Sequence, residues 1–219
     1  MSNPLKIKVI FLSALLLLAT LPMKANALIE VPTFRLELGK SMLNFTAGTL
    51  FSTPTPLGST ATINPKFLWD IPGVRSRLGL NFLAEIGSNN YGNMTISGIG
   101  LTGIFYPLGL SSSREVHEDL SVMIKHRTSP YLQFQITPVK CAISNATTYD
   151  VVTARASYFS ATIVETMIGA GLDYPLADDM IGFVGLNYRY AAFTSEETTT
   201  GVLKYNGIEI ALGIMTNFF

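Results

Sequence analysis

Cysteine and histidine are nearly absent from this chain, which contains one cysteine, Cys141, and two histidines, His117 and His126. A single cysteine cannot form an internal disulfide, so a small fold held together by disulfides is excluded. The adjacent aspartates Asp178 and Asp179 read as a turn. Because hydrolytic and acyl-transfer enzymes need a nucleophile, a base and an orienting acid within reach of one another, we expect this protein not to be an enzyme.

Charge is also scarce, since charged residues make up only 14% of the chain. No stretch of lysine and arginine is typical of a nucleic-acid partner, so we expect none. A metal site from His117, Glu118 and His126 is only a weak alternative, because nine positions separate the histidines and would place them on different parts of a helix. We therefore expect no metal and no cofactor.

Only one apolar run is long and uninterrupted, from Val9 to Leu21, and it follows Lys6 and Lys8. It is shorter than the roughly 20 residues that a membrane-spanning helix needs. A small-x-small cleavage site, residues 25–27, comes after it, so residues 1–27 are predicted to be a cleaved secretory signal peptide. Residues 28–219 are then a single mature domain with 12 basic and 15 acidic residues.

The mature domain is rich in apolar residues that alternate with small or polar ones. The third predicted strand, 75–87, is the clearest example. It places Leu78, Leu80, Phe82, Ala84 and Ile86 on one face, and Arg77, Gly79, Asn81 and Glu85 on the other. Alternation of this kind, repeated along the chain, is the pattern of a membrane β-barrel, in which one face of each strand meets lipid and the other meets the lumen.

Eight strands are predicted. They span about 33–50, 62–71, 75–87, 94–108, 131–141, 151–174, 181–193 and 203–219. The sixth segment is longer than the roughly 9–11 residues that a spanning strand needs, so a break that raises the count to ten stays open. The last segment alternates up to two final phenylalanines, as expected of a strand that closes onto the first one.

Two segments carry a family resemblance. Residues 169–179 (GAGLDYPLADD) followed by 185–190 (GLNYRY) resemble the penultimate hairpin of small bacterial outer-membrane barrels, the opacity-like and OmpA/OmpX/OmpW-like families. Residues 129–131 (SPY) are similar to the entry of their fifth strand. One departure is that Phe218, and not the final Phe219, shares its face with the isoleucines of the last strand.

The resemblance implies an all-β fold, an eight-stranded antiparallel up-and-down transmembrane β-barrel in the outer membrane of a Gram-negative bacterium, with periplasmic termini. The partners that it implies are outer-membrane lipid, lipopolysaccharide, and the barrel-insertion machinery, which would recognise the C-terminal strand. The function we expect is a structural or surface-interaction role with a side-chain-filled polar lumen. The alternative is a small porin or a conduit for small or hydrophobic solutes.

Aromatic residues recur at one end of the predicted strands and are interpreted as a periplasmic girdle at the membrane interface. Its members are Phe34, Trp69, Tyr106, Tyr131, Tyr174, Phe183, Phe218 and Phe219.

Charged residues on the strands are expected to face the lumen, because a charge on the lipid face costs several kcal/mol at the midplane. They are Arg35, Glu37, Arg77, Glu85, Arg155, Glu165, Asp173, Arg189 and Glu209. Eight strands enclose only enough space for side chains, which favours a salt-bridged plug over a gated channel. We hypothesise that Arg77 or Arg189 pairs across the lumen with Glu37, Glu85 or Glu209.

The segment 109–129, between the fourth and fifth strands, is longer than a periplasmic turn usually is. Ser112 and Glu115 fit a capping box, and Val116, Leu120 and Met123 follow helical spacing. The prediction is a short amphipathic periplasmic helix. It would cover the lower mouth of the barrel or lie on the membrane surface, or else dock a periplasmic partner.

Overall fold

The computed structural model describes residues 32–47, 55–89, 92–116, 122–146, 157–192 and 203–217. The predicted signal peptide (1–27), His117, Glu118, Arg155, Phe218 and Phe219 lie outside these ranges. Among the described residues there is no helix whose length and apolar character would let it cross a membrane.

Ten strands make up the described chain. They are β1 (Thr33–Ala47), β2 (Thr55–Asp70), β3 (Ser76–Asn89), β4 (Gly92–Phe105), β5 (Ser112–Val116), β6 (Val122–His126), β7 (Ser129–Ala146), β8 (Ser157–Ala177), β9 (Met180–Ala192) and β10 (Leu203–Asn217). Eight of them form a closed antiparallel barrel in the order β1-β10-β9-β8-β7-β4-β3-β2, and β5 and β6 form a separate hairpin. The predicted eight-stranded antiparallel barrel is confirmed.

The barrel closes where β1 pairs with β10, in an unbroken register from Thr33 opposite Asn217 to Ala47 opposite Leu203. β8 runs without interruption along its full length, so the alternative of a hidden break and a ten-stranded barrel is wrong. Closure matters because it pairs both outer edges of the sheet and leaves no open strand edge among the barrel strands.

One end of the barrel, which we name the turn rim, carries the tight β2–β3 and β8–β9 turns. The first of these contains Pro72 and Gly73, and the Val74 backbone N–H donates to the Ile71 carbonyl at 3.0 Å. Gly73 takes the positive φ, +77°, that the third residue of a type II turn requires. The opposite end, where β3 meets β4, is named the loop rim.

Side chains alternate between a buried interior and an exposed outer surface on each barrel strand. On β10, Ile208, Ile210 and Leu212 are 53–60% exposed, whereas the intervening Glu209 and Ala211 are fully buried. The outer surface is therefore largely apolar, and the interior holds most of the charged side chains that the structure describes on the barrel strands. This inverts the arrangement of a water-soluble protein.

The hairpin β5–β6 replaces the helix predicted for this segment, which is a correction. Its strands pair from Ser112 opposite His126 to Val116 opposite Val122, on either side of residues outside the description. A short apolar run fits helical and strand periods about equally well, and the β-branched Val122 and Ile124 favour a strand.

A second correction concerns the start of the second strand, which was predicted at about residue 62, because β2 already begins at Thr55. Pro56 pairs with Asn44 next to a register irregularity between Met42 and Asn44 on β1. Proline is tolerated at the start of a strand and beside a bulge, so composition alone placed the strand start too late.

The closing register can be tested with an engineered disulfide. In a Cys141→Ser background, Lys40→Cys with Ile210→Cys is expected to form a disulfide, because these outward residues are direct cross-strand partners. Gel mobility before and after reduction measures it.

Lys40→Cys with Ile208→Cys is the matched control, since it uses the same residue type on the same face two positions away. At a diagonal Cα separation of about 7–8 Å this pair should stay reduced. Equal oxidation of both pairs would contradict the register.

Candidate functional site in the barrel interior

The charged residues expected in the lumen lie inside the barrel wherever they are described. Arg35, Glu37, Arg77, Glu85, Glu165, Asp173, Arg189 and Glu209 are each at most 1% exposed. Lys66 is a further interior charge that the sequence interpretation missed. The alternation of β2 could have revealed it, because Thr62, Asn64 and Lys66 share one face and Ile63 and Phe67 the other.

An arginine–tyrosine layer closes the interior at the turn rim. Arg35 Nη1 contacts Asp173 Oδ1 at 3.0 Å, and the Tyr106 hydroxyl donates to Asp173 Oδ2 at 2.9 Å. The Arg35 guanidinium lies 3.4 Å from the centre of the Phe183 ring and 4.5 Å from that of Tyr131. These aromatic faces give the cation an electrostatic partner in a place without bulk water.

Three of these aromatic residues were predicted in the outward girdle, and that assignment is wrong for them. Tyr106, Tyr131 and Phe183 point inward and are at most 1% exposed. Their chain neighbours take the outward positions instead, because alternation sends adjacent side chains to opposite faces. Phe105, for example, is 45% exposed.

Other members of the predicted girdle do face outward. Trp69 is 39% exposed and Tyr174 is 38% exposed. Phe34 is half-buried against the Phe67 ring, with centroids 5.4 Å apart.

Arg77 connects the barrel wall to the hairpin. Its Nε donates to Asp70 Oδ1 at 2.6 Å, and its Nη2 donates to the Ser112 hydroxyl at 2.6 Å. Ser112 is the first residue of β5, and both it and Ser111 are buried. The start of the hairpin therefore lies against the luminal charges at the turn rim.

The middle of the interior is a hydrogen-bonded polar column. Lys66 Nζ contacts Glu37 Oε2 at 2.8 Å and donates to Gln133 Oε1 at 3.2 Å. Gln133 Nε2 donates to Asn187 Oδ1 at 2.6 Å, and Asn187 Nδ2 donates to Glu209 Oε1 at 2.9 Å. Polar contacts thus run without a gap from Glu37 to Glu209.

Arg189 is the centre of the next level, which we name the Arg189 cluster. Its guanidinium contacts Glu85 at 2.6 Å, Glu165 at 2.7 Å and Glu209 at 3.2 Å. Gly39 leaves room for one of these acids, because a Cβ there would lie 2.9 Å from Glu209 Cδ. One cation faces three carboxylates, so it cannot balance their charge alone.

Neutral donors supply what the single guanidinium lacks. Thr60 donates to Glu85, the Tyr205 hydroxyl donates to Glu165, and Ser41 donates to Glu209 at 2.9 Å. Each carboxylate of the cluster therefore accepts a hydrogen bond in addition to that from Arg189. Carboxylates that are buried away from water need hydrogen-bond donors of this kind, because an unpaired buried charge is costly.

Toward the loop rim the interior becomes apolar. The luminal apolar cluster consists of Leu43, Leu83, Met94, Ile96, Val139, Cys141, Ile163, Ala191 and Tyr205. From the sequence we expected a polar interior throughout, so this apolar layer was not predicted. Its signal was that Val139 and Cys141 continue, with apolar residues, the face of β7 that carries Gln133, Gln135 and Thr137.

The hypothesis about cross-lumen pairs agrees with this geometry for Arg189, which contacts Glu85 and Glu209. Arg77 instead pairs with Asp70, and Glu37 pairs with Lys66. In the part of the chain that the structure describes, no three His, Cys, Asp or Glu side chains are arranged to hold a metal ion. The arrangement forms a filled interior of paired charges between an aromatic layer and an apolar one.

Comparison with solved structures finds the same fold in two bacterial proteins. The crystal structure of Neisserial surface protein A matches 84% of this chain and 97% of its own length, at 14% identity and a TM-score of 0.50. The outer membrane protein OprG from Pseudomonas aeruginosa matches 86% of this chain and 97% of its own, at 10% identity and a TM-score of 0.51.

The expected likeness to small bacterial outer-membrane barrels is thereby confirmed at the level of the fold. No protein-family model matches the chain, and no curated protein matches it either.

The Arg189 cluster generates a stability prediction. Arg189→Met should lower the free energy of unfolding by about 3–5 kcal/mol, because it leaves three buried carboxylates without their shared cation. Urea titration of the folded barrel in detergent micelles measures it.

Tyr205→Phe is the milder companion variant, which removes one donor to Glu165 and should cost about 1.5–3 kcal/mol. Adding Glu85→Gln and Glu165→Gln to Arg189→Met should recover part of the loss, since both remove buried charge. A loss below about 0.5 kcal/mol for Arg189→Met would mean that the cluster is not a buried ion network.

Proposed function

We propose that this protein is an outer-membrane β-barrel, without enzymatic activity, whose filled lumen gives it a structural or surface-interaction role. The observation that carries the proposal is the inversion of the barrel: paired charges fill its interior and apolar side chains cover its outside. The shared fold with two solved barrels, one of them named as an outer membrane protein, supports the same placement.

The outer surface supports a lipid environment. Large apolar side chains are exposed on every barrel strand, including Leu38, Ile63, Leu80, Ile99, Phe134, Ile168, Leu186 and Leu212. A continuous apolar surface around a whole barrel exceeds the few hundred Å² that water-soluble monomers expose. In hydrocarbon, exposing this apolar surface carries no hydrophobic penalty. The closed backbone pairing also satisfies the amide groups of the barrel strands.

The orientation we propose has the turn rim in the periplasm and the loop rim at the cell surface. The first residue of β1, Thr33, and the last residue of β10, Asn217, are both at the turn rim. This arrangement fits export by the predicted signal peptide and recognition of the last strand by the barrel-insertion machinery. The loop rim would then meet lipopolysaccharide.

The lipid environment makes a prediction for the outer face. Leu212→Arg should lower the free energy of unfolding in lipid vesicles by about 2–4 kcal/mol, because Leu212 lies outward among Leu38 and Val184 in the apolar belt. Denaturant titration of vesicle-folded protein measures it.

Thr95→Arg is the control, because Thr95 is also exposed but lies close to the loop rim end of β4, where the cost should be about 0–1 kcal/mol. Equal costs at the two positions would count against a bilayer around the barrel.

A conduit is the second candidate function, and one observation favours it. Glu37 Oε1, Asn64 Oδ1 and Gln135 Nε2 are buried in the middle of the interior and have no hydrogen-bond partner. Buried polar atoms of this kind usually bind ordered water. A hydrated middle section could become part of a narrow path if the layers above and below it moved.

Conductance separates the two functions. In a planar lipid bilayer the filled lumen predicts no steady channel current for the wild-type protein. Single variants Arg77→Gln and Arg189→Gln, checked for folding by gel mobility, should also remain silent. Steady wild-type current that either luminal variant alters would favour the conduit and overturn the structural role.

A further inference from the structure

A pocket outside the lumen lies at the turn rim. It has a volume of about 660 Å³ and is walled by the β2–β3 turn, the 109–110 backbone and the end of β6. Three of its lining residues, Arg75, Lys125 and Arg127, are basic, and His126 lines the pocket beside them. Its size lies within the range of about 300–1,000 Å³ that is usual for small-molecule sites.

Backbone carbonyls of the 107–110 segment hold the two arginines in place. Arg75 Nη1 donates to the Pro107 carbonyl at 3.1 Å, and Arg127 donates to the Leu108 and Leu110 carbonyls, each at 2.9 Å. Because these acceptors are neutral, neither positive charge is cancelled by them. Among the described residues, neither guanidinium is in an ion pair with a carboxylate.

Glycine makes the close packing of Arg127 possible. Gly109 has a φ of +105°, and a Cβ there would lie 1.7 Å from Arg127 Nη2. His126 Nε2 also donates to the Asp178 carbonyl at 2.7 Å, which ties the end of β6 to the β8–β9 turn. The cationic wall is therefore built by three chain segments and is not a chance group of surface side chains.

Arg75 keeps hydrogen-bond donors that the described contacts leave available. With Nη1 bound to Pro107, Arg75 retains the Nε and Nη2 donors that form the parallel fork used for planar or tetrahedral oxyanions. The one acidic lining residue, Asp70, is already bound to Arg77 Nε at 2.6 Å. The pocket therefore favours an anion.

The position of the pocket relative to the apolar outer belt indicates the kind of anion. Trp69, which directly precedes the lining residue Asp70, faces outward at the edge of the apolar belt and is 39% exposed. Outward tryptophans sit at headgroup depth in a bilayer. The pocket also has apolar lining residues, Ile71, Val74 and Leu110, and Leu108 beside it is 68% exposed.

We propose that this pocket binds the phosphate of an anionic phospholipid headgroup in the membrane leaflet next to the turn rim. Apolar lining next to basic side chains suits a ligand that carries both a phosphate and hydrocarbon better than it suits a purely acidic protein segment. The inference rests on the proposed membrane location. It gives the hairpin region a lipid ligand, where the sequence analysis left a periplasmic protein partner open.

Trp69 provides the test, because it is the only tryptophan of the chain and lies beside the pocket. The protein is folded into phosphatidylcholine vesicles that contain an equal small fraction of dibrominated phosphatidylglycerol or dibrominated phosphatidylcholine. Bromine quenches tryptophan on contact, so the ratio of quenching reports which lipid occupies the site. We expect the anionic lipid to quench more strongly, with an apparent affinity about fivefold higher per favourable basic contact.

Variants assign the effect to the pocket. Arg75→Gln and Lys125→Gln should each reduce the excess quenching by phosphatidylglycerol. Lys140→Gln is the matched control, since Lys140 is an exposed basic residue on β7 between Ser97 and Thr162, away from the turn rim. It should leave the excess unchanged.

Each outcome decides one point. Equal quenching by the two brominated lipids would overturn the phospholipid site while leaving the membrane location intact. Quenching by neither lipid would contradict the membrane location itself. Loss of the excess in inorganic phosphate, but not in potassium chloride of equal ionic strength, would assign the site to free phosphate and overturn the lipid source.

Discussion

The pairing of β1 with β10 is the constraint on which the rest of the structure depends. Once the sheet is closed, every strand has one face toward a confined interior and one face toward the surroundings. Each residue then has only two possible environments, and adjacent residues take opposite ones. A slip of β9 by one residue would send Arg189 outward and the neighbouring Tyr188 or Tyr190 inward, so the hydrogen-bonded interior and the register support each other.

The interior is stable because its charges are shared and its neutral donors are placed to complete them. Arg35 lies on aromatic rings at the turn rim, Lys66 and Glu37 begin the polar column, and Arg189 holds three carboxylates that hydroxyl and amide groups also satisfy. The luminal apolar cluster then closes the side nearer the loop rim. Buried charges contribute little net stability on their own, but leaving any one of them without its partner is costly. The network therefore contributes more to fixing a single arrangement of the interior side chains than to the free energy of folding.

The barrel was largely predictable from sequence, because period-two alternation and turn residues act locally. Pro72 and Gly73 mark their turn, and alternation on β3 sorts Arg77 from Leu78 correctly. Other features depend on contacts that local patterns do not contain. The sequence predicted that Tyr131 lies near one end of the barrel. Whether it points inward or outward depends on the phase of its strand, which the sequence did not settle. The hairpin was mistaken for a helix because its short apolar run suits both periods. The partners of Arg189 come from β3, β8 and β10, so only the closed sheet brings them together.

We propose that hydrocarbon surrounds the barrel and that side chains fill its inside. A spin-label scan along β10 in a lipid bilayer, from Asn206 to Thr216 in a Cys141→Ser background, tests both parts at once. Collisions with dissolved oxygen and with a polar nickel chelate are measured at each position. We expect high oxygen collision rates at the outward, even-numbered positions and low nickel collision rates at the inward ones. Nickel access to the inward positions, or oxygen rates without alternation, would contradict it.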